Sequence, residues 1–275
     1  MGLLGSNKPR VLLSSVVTFP RTEPAFRMAK ELGFDGLELF PYRWTTTREI
    51  KRLSEAYAIR ISGIHLPFWW HTKPLWKVWL SEYQLREWAF ATLWFITFGS
   101  GKKNCPAIRL KADFPEAYVL IHPDTYHQAL RAEQDINAWL LDREIFFENE
   151  RPKKDEQQST YDLISLKGLI ETFPDQRGRL MFDPGHFMLA QTLGKVPKQL
   201  HIPTLYTLSI PEGLHLSFSD EGRLHDLPTP EEWKELADKI NQDPPQYLVV
   251  ETKPGLGSRK RVDIARKMIL RDLGV

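Results

Sequence analysis

Cysteine is nearly missing from this chain: Cys105 is the only one in 275 residues. An internal disulfide is therefore excluded, and a reducing compartment, by default the cytoplasm, is expected. Charge of one sign is also missing. Thirty-seven basic residues against thirty-five acidic ones leave +2, which gives no strong global field towards nucleic acid or membrane, although a local basic patch stays open. Long hydrophobic runs are absent too. The longest, WAFATLWFITF at 88–98, is too short to span a bilayer, and the opening MGLLGSNKPR lacks the layout of a signal peptide. A soluble protein with no membrane association is expected. No Gly/Ser-rich linker or shift of composition marks a boundary, so residues 1–275 read as one domain. GSGKKNCP near 99 is a loop without the leading glycine and the Ser/Thr after lysine that a phosphate-binding loop needs.

What is present is enough apolar residue, 42%, to bury a large core, and a length that suits two small domains or one large α/β barrel. Short apolar or β-branched runs alternate with longer amphipathic segments throughout. Strands are expected at VLLSSVV from 11, GLELF from 36, RISGIHL from 60, AYVLIH from 117, EIFFEN from 144, RLMFD from 179, GLHLSF from 213 and QYLVVET from 246. Helix-compatible segments follow at 22–32, 46–57, 76–98, 125–141, 159–172, 186–193, 230–241 and 258–271. Thr229-Pro230-Glu231-Glu232 is a clear helix start, with Thr229 as cap and Pro230 in the first position. Eight such units predict a (β/α)8 TIM barrel, with an open doubly wound sheet as the structural alternative.

In RLMFDPGHF, 179–187, an apolar run ends in an acid whose ionised form is costly to bury without a partner. The same kind of ending recurs along the chain. His65, His122, Glu148, Asp183 and Glu251 close strands three, four, five, six and eight, His215 lies in the seventh, and His186 and His225 follow in loops. Barrel active sites are built at the carboxyl ends of the strands, so all eight would converge on one face. Any one histidine there reads first as a hydrogen-bonded core or rim residue. As a set, imidazoles mixed with carboxylates suit Zn, Mn or a similar divalent metal. A cation would hold Asp183 ionised, and a turn at Pro184-Gly185 would bring His186 to the same place. Eight candidates exceed the four to six positions of a single ion, so either several ions bind or the surplus groups hold substrate and move protons.

These residues resemble the xylose-isomerase-like TIM barrels, a group with sugar isomerases, ketose 3-epimerases and endonuclease IV. The similarity runs through GFDGLEL, GIHLP, IHP, FEN, FDPGH, LHLSFSD and VVET, in order along nearly the whole chain. Resemblance to the epimerase branch implies that Glu148, Asp183, His215 and Glu251 hold one ion, that His186 contacts substrate, and that Glu148 and Glu251 are catalytic proton carriers through an enediolate. Resemblance to the endonuclease branch implies three zinc ions on His65, His122, Glu148, Asp183, His186, His215, His225 and Glu251, acting on a phosphodiester at abasic DNA. Departures bear on the choice. Arg223 stands where the endonuclease pattern has an aspartate, DLPTPEEW after His225 lacks its glycine-rich continuation, and HPD replaces His-Pro-Gly. His65 and His122, in contrast, exceed what a one-metal epimerase needs, and Arg43 in FPYRW could meet a DNA backbone.

Further candidates are weaker. Glu38 in GLELF reaches the site or serves as an internal hydrogen-bonding residue at the rim. Six of the nine tryptophans fall between Trp69 and Trp94, and Trp69 and Trp70, with Phe68, could wall the mouth and exclude water, while Trp79, Trp88 and Trp94 read as helix packing. Arg223 beside His225 is a substrate-phosphate contact or an ordinary loop charge. The expected function is a divalent-metal-dependent isomerase or epimerase of a carbohydrate, a small-molecule sugar or sugar phosphate. The alternatives are an endonuclease-like phosphodiesterase that binds nucleic acid, and a non-catalytic metal- or sugar-binding barrel.

Overall fold

Side chains alternate between two faces along a strand, and in this chain both faces are covered, so the strands read as almost unbroken apolar runs. The computed structural model describes residues 8–19, 21–41, 45–66, 110, 113–123, 144–149, 163–171, 178–220 and 223–275. Eight parallel strands close into a barrel: β1 Arg10–Ser14, β2 Gly36–Leu39, β3 Ile61–His65, β4 Tyr118–Ile121, β5 Ile145–Glu148, β6 Gly178–Phe182, β7 Gly213–Leu216 and, after the hairpin β8 Phe218–Asp220 with β9 Arg223–Asp226, β10 Tyr247–Val250. Their order around the barrel is β1-β10-β7-β6-β5-β4-β3-β2. The predicted (β/α)8 architecture is the one observed, and the open sheet is excluded by closure through β1 and β10.

Inside the barrel, Leu12, Tyr118, Leu120, Phe146, Met181, Tyr247 and Val249 pack as one buried plug. The opposite faces of the same strands, with Val11, Leu13, Leu214 and Val250 among them, pack against helix residues such as Phe26, Ile50, Trp233 and Ile269. The described helices are Glu23–Leu32, Thr47–Tyr57, Leu163–Glu171, Pro184–Thr192, Ile202–Leu208, Pro230–Gln242 and Ser258–Leu273. Thr46 caps the second, accepting from Glu49 N, and Thr229 with Glu232 makes a reciprocal capping box on the sixth. The expected helices at 76–98 and 125–141 lie outside the described residues. No described helix is long and apolar enough to cross a membrane.

At Gly63 packing requires a glycine. A Cβ on Gly63 would lie 2.3 Å from the Tyr118 ring, and that ring is buried, packed against Phe146 and Tyr247 at centroid distances of 4.7 and 4.8 Å. Gly63→Ala is therefore expected to destabilise the fold by about 3 kcal/mol through overpacking. A urea midpoint within error of the parent would show that the plug has room to yield.

Four local expectations need correction. The first strand stops at Ser14 rather than running on through Val17, because Ser15–Thr18 turns as a 3-10 segment. There the Ser15 hydroxyl accepts from Phe40 N at 2.7 Å, and the Thr18 hydroxyl donates to Arg21 O at 2.6 Å. These side-chain bonds outcompete the β preference of the two valines. The expected turn at Pro184-Gly185 is instead the first turn of helix Pro184–Thr192, which begins two residues before 186, with Asp183 as its cap and Pro184 in its first turn. Seven residues at Ile202–Leu208 form a helix too short to show a period in the sequence. The seventh barrel strand ends at Leu216, and Phe218 starts the unforeseen hairpin.

Candidate metal centre

The same alternation that builds the plug places the polar residues one step above it. Leu120, Phe146, Met181 and Val249 belong to the plug, and Gly63 and Gly213 face it, with Leu120 level with Phe146 and Met181 level with Gly213 in the register. Two residues further along from these stand His65, His122, Glu148, Asp183, His215 and Glu251. Glu38 enters from β2, in register with Ser14 and Gly63, and His186 from the first turn of helix Pro184–Thr192. None of these eight side-chain-bearing residues is more than 6% exposed.

His215 Nδ1 is the hub. It lies 2.9 Å from Glu148 Oε1, 3.4 Å from Glu251 Oε2 and 3.9 Å from Asp183 Oδ2. On the other side of Glu148, Oε2 lies 3.3 Å from His122 Nε2 and 3.6 Å from His65 Nε2. Glu38 sits beneath His65, with Oε2 3.2 Å from His215 Nε2 and Oε1 3.6 Å from His65 Nδ1. His186 Nε2 is 3.9 Å from Asp183 Oδ2.

Two residues that sequence reasoning passed over hold this arrangement. The Asn149 amide brackets Asp183, with Nδ2 donating to Asp183 O at 3.0 Å and Oδ1 accepting from Asp183 N at 2.7 Å. The Asn149 carbonyl lies 2.9 Å from His186 Nδ1; because a carbonyl can only accept, Nδ1 carries a proton, and Nε2 is the nitrogen turned to the centre. Asp183 Oδ1 meanwhile accepts from His186 N at 2.9 Å, so one acid caps the helix and keeps Oδ2 for the centre. The Tyr118 hydroxyl donates to Glu38 Oε2 at 2.7 Å. A polar residue directly after Glu148 was a visible signal for Asn149, whereas Tyr118 reads in sequence as plain core.

Burial and mutual attraction set the protonation. Burial pushes Glu38 up, but His215 and His65 outweigh it and its carboxyl is lowered to about 2. Burial likewise opposes Glu148, yet His215, His122 and His186 leave it well below the usual range. Burial raises Asp183, with Glu148 adding to the effect. Glu251 is raised to about 7 by burial and, against the pull of His215, by Glu148. Burial lowers the histidines, but His215 is carried well above its ordinary value by Glu148 and Glu38, and His65 is raised by Glu38 and Glu148. The cluster thus balances four buried carboxylates with protons.

A divalent cation fits in place of those protons. Both oxygens of Glu148, Asp183 Oδ2 and the ring nitrogens of His65 are buried and make no well-angled hydrogen bond among the described residues, so the carboxylate lone pairs, and the one lone pair a neutral His65 ring has, are free to face a cation. Sets of one nitrogen or oxygen each from His65, His122 and Glu148, from Glu148, Asp183 and His186, and from Glu38, His65 and Glu251 lie within 4.8 Å of one another. Ion binding is expected to release protons, on the order of one per ion near pH 7, because His65 and His215 must be deprotonated to serve as ligands. Raised histidine values mean that affinity falls as pH drops and climbs until the histidines have lost their protons. Calorimetry in buffers of different ionisation enthalpy measures the release; a heat independent of buffer would contradict it.

Of the remaining candidates, Arg223 and His225 lie on β9, with side chains outside the description, and Trp69, Trp70 and Arg43 lie outside the described residues. No protein-family model and no curated protein sequence matches this chain. Solved structures do. A D-allulose 3-epimerase from Methylomonas sp. superposes with a TM-score of 0.62 at 12% identity, covering 96% of this chain and 98% of that one. The TIM-barrel fold is shared as well with a xylose isomerase domain containing protein from Salmonella typhimurium LT2, at a TM-score of 0.52 and 14% identity over 96% of each chain. Among other barrels of this kind, 3-keto-D-glucoside 4-epimerase from E. coli matches with a TM-score of 0.59 at 12% identity over 98% of this chain and all 100% of its own. An AP endonuclease of family 2 from Brucella melitensis matches at 0.58 and 11% identity, over 92% and 96%.

Proposed function

We propose that the protein is a divalent-metal-dependent isomerase or epimerase of a sugar or sugar phosphate, working through an enediolate. The observation that carries this reading is the convergence of Glu148, Asp183 and Glu251 on His215 Nδ1, each within 4 Å. It joins one mixed nitrogen and oxygen ion nest to two glutamates able to move a proton. The epimerase neighbours share the fold and lend support. A bound Zn or Mn would supply positive charge to stabilise the oxyanions of an enediolate.

The chain's own groups do the rest. Glu148 and Glu251 take a proton from the carbon beside the substrate carbonyl and return one, the two carboxyls being set apart by environment, Glu148 held ionised and Glu251 raised to about 7. Asp183 and His215 complete the ion nest, and His186, its Nδ1 turned to the Asn149 carbonyl, meets a substrate hydroxyl through Nε2 by a hydrogen bond. In the same reading Trp69 and Trp70 wall the mouth and Arg223 meets a substrate phosphate. The lone Cys105 supports a cytoplasmic setting.

The test is incubation of the metal-loaded protein with a panel of ketoses and their phosphates in D2O. Deuterium washed into the carbon beside the carbonyl is the expected result, and it appears even when the natural product is unknown. A panel with no exchange at all would remove the reading.

One observation favours a second reading, a metal-dependent phosphodiesterase acting at abasic DNA. His122 and His65 both face Glu148 Oε2, a further ion nest beyond what a one-ion proton transfer uses. Incision of an oligonucleotide carrying an abasic site, together with no deuterium exchange, would establish it in place of the first.

A further inference from the structure

We infer that Glu38 is a positioning residue that aims His215 at the ion: it accepts the Nε2 hydrogen of His215 and so leaves Nδ1 as the lone pair facing Glu148, Asp183 and Glu251. The inference rests on His215 being an ion ligand and is independent of which reaction follows. A ring nitrogen becomes a ligand only in the tautomer whose proton is on the other nitrogen, and a carboxylate behind the ring selects that tautomer and holds the ring plane.

The geometry has the required parts. Glu38 Oε2 lies 3.2 Å from His215 Nε2, while His215 Nδ1 points the opposite way, 2.9 Å from Glu148. Glu38 is fully buried, beneath His65 in the barrel, so it does not meet substrate. It is itself held, because the Tyr118 hydroxyl donates to the same Oε2 at 2.7 Å. The Tyr118 ring is wedged over Gly63 and packed on Phe146 and Tyr247. The aim of the ligand is therefore referred back to the packed plug inside the barrel. The other Glu38 oxygen lies 3.6 Å from His65 Nδ1, so one carboxylate stands behind two imidazoles.

The test compares the parent chain, Glu38→Gln and Tyr118→Phe by titration with Co2+ or Zn2+ against a competing chelator, alongside the melting temperature of each ion-free form. Glu38→Gln is expected to weaken ion affinity on the order of 10- to 100-fold with the number of ions per chain unchanged and the ion-free form still folded. Tyr118→Phe, which removes one hydroxyl from a ring that stays packed, is expected to weaken affinity by a smaller factor in the same direction. Parent-like affinity in Glu38→Gln overturns the inference. So does loss of a whole ion from that variant's count, which would make Glu38 a ligand alongside His65 and Glu251. If Glu38→Gln does not fold, Tyr118→Phe decides alone, and its unchanged affinity would be the contrary result. A parent chain that binds no ion would instead bring down the ion reading itself.

Discussion

Glu148→Gln and Glu251→Gln each lower turnover by a factor on the order of 10^3 or more, the range open to a positioned proton carrier. The substitution keeps shape while removing the carboxylate charge and the ability to take and return a proton. Glu148 is buried, within hydrogen-bond distance of His215 and close to His122, so its loss also removes an ion ligand. Glu251 touches the cluster through His215 Nδ1 at 3.4 Å. The two variants should therefore differ in a second readout: Glu148→Gln, shared between both ion nests, weakens ion binding more than Glu251→Gln. Deuterium exchange at the substrate carbon should disappear in both. Near-parental exchange by either variant would remove the two-carboxylate mechanism.

Saturating the ion site raises the melting temperature by about 10 °C. A ligand present at 1,000 times its dissociation constant adds roughly 4 kcal/mol to the folded state, and in a chain of this size each kcal/mol moves the midpoint by about 2–4 °C. The converse is informative. Burial and Glu148 together push Asp183 up, so in the ion-free chain holding its carboxylate among the others costs stability that only a bound ion offsets. Asp183→Asn isolates this effect, because an asparagine still caps helix Pro184–Thr192 through the bond now made to His186 N. Its ion-free form should melt at or above the ion-free parent, and the ion-dependent rise should be lost. A variant that melts lower than the ion-free parent yet keeps the full rise would show that Asp183 holds the helix and not the ion.

The architecture was legible because a barrel writes itself twice along the chain. Apolar runs mark the strands, and the polar residue ending each run marks the mouth. Val249 to Glu251, Met181 to Asp183 and Leu120 to His122 are two-residue steps along a single inward face, and such a step is visible in any strand whose register is known. Less legible was everything set by cross-strand contact. Tyr118 looks like core, and it is core, but its hydroxyl reaches Glu38 eighty positions away in the chain. The bracket of Asn149 on Asp183 spans thirty-four positions. At Ser15–Thr18 a run of β-branched residues argued for strand while two side-chain hydrogen bonds argued for a turn, and the turn prevailed. Asp-Pro-Gly at 183–185 carries a turn signal and a helix-start signal together. The structure resolves it as the latter, with Gly185 N bonded to Ser217 O at 2.8 Å and a Cβ there only 2.9 Å from the Ser217 hydroxyl.

The most direct measurement is the count of divalent ions per folded chain, by elemental analysis after loading with Zn2+ or Mn2+ and exhaustive dialysis, for the parent and for a double variant His215→Gln, Asp183→Asn. The account predicts one retained ion per parent chain under the isomerase reading, three under the nuclease reading, and in either case fewer in the double variant. A folded parent that retains none, or a double variant that retains as many, would contradict it.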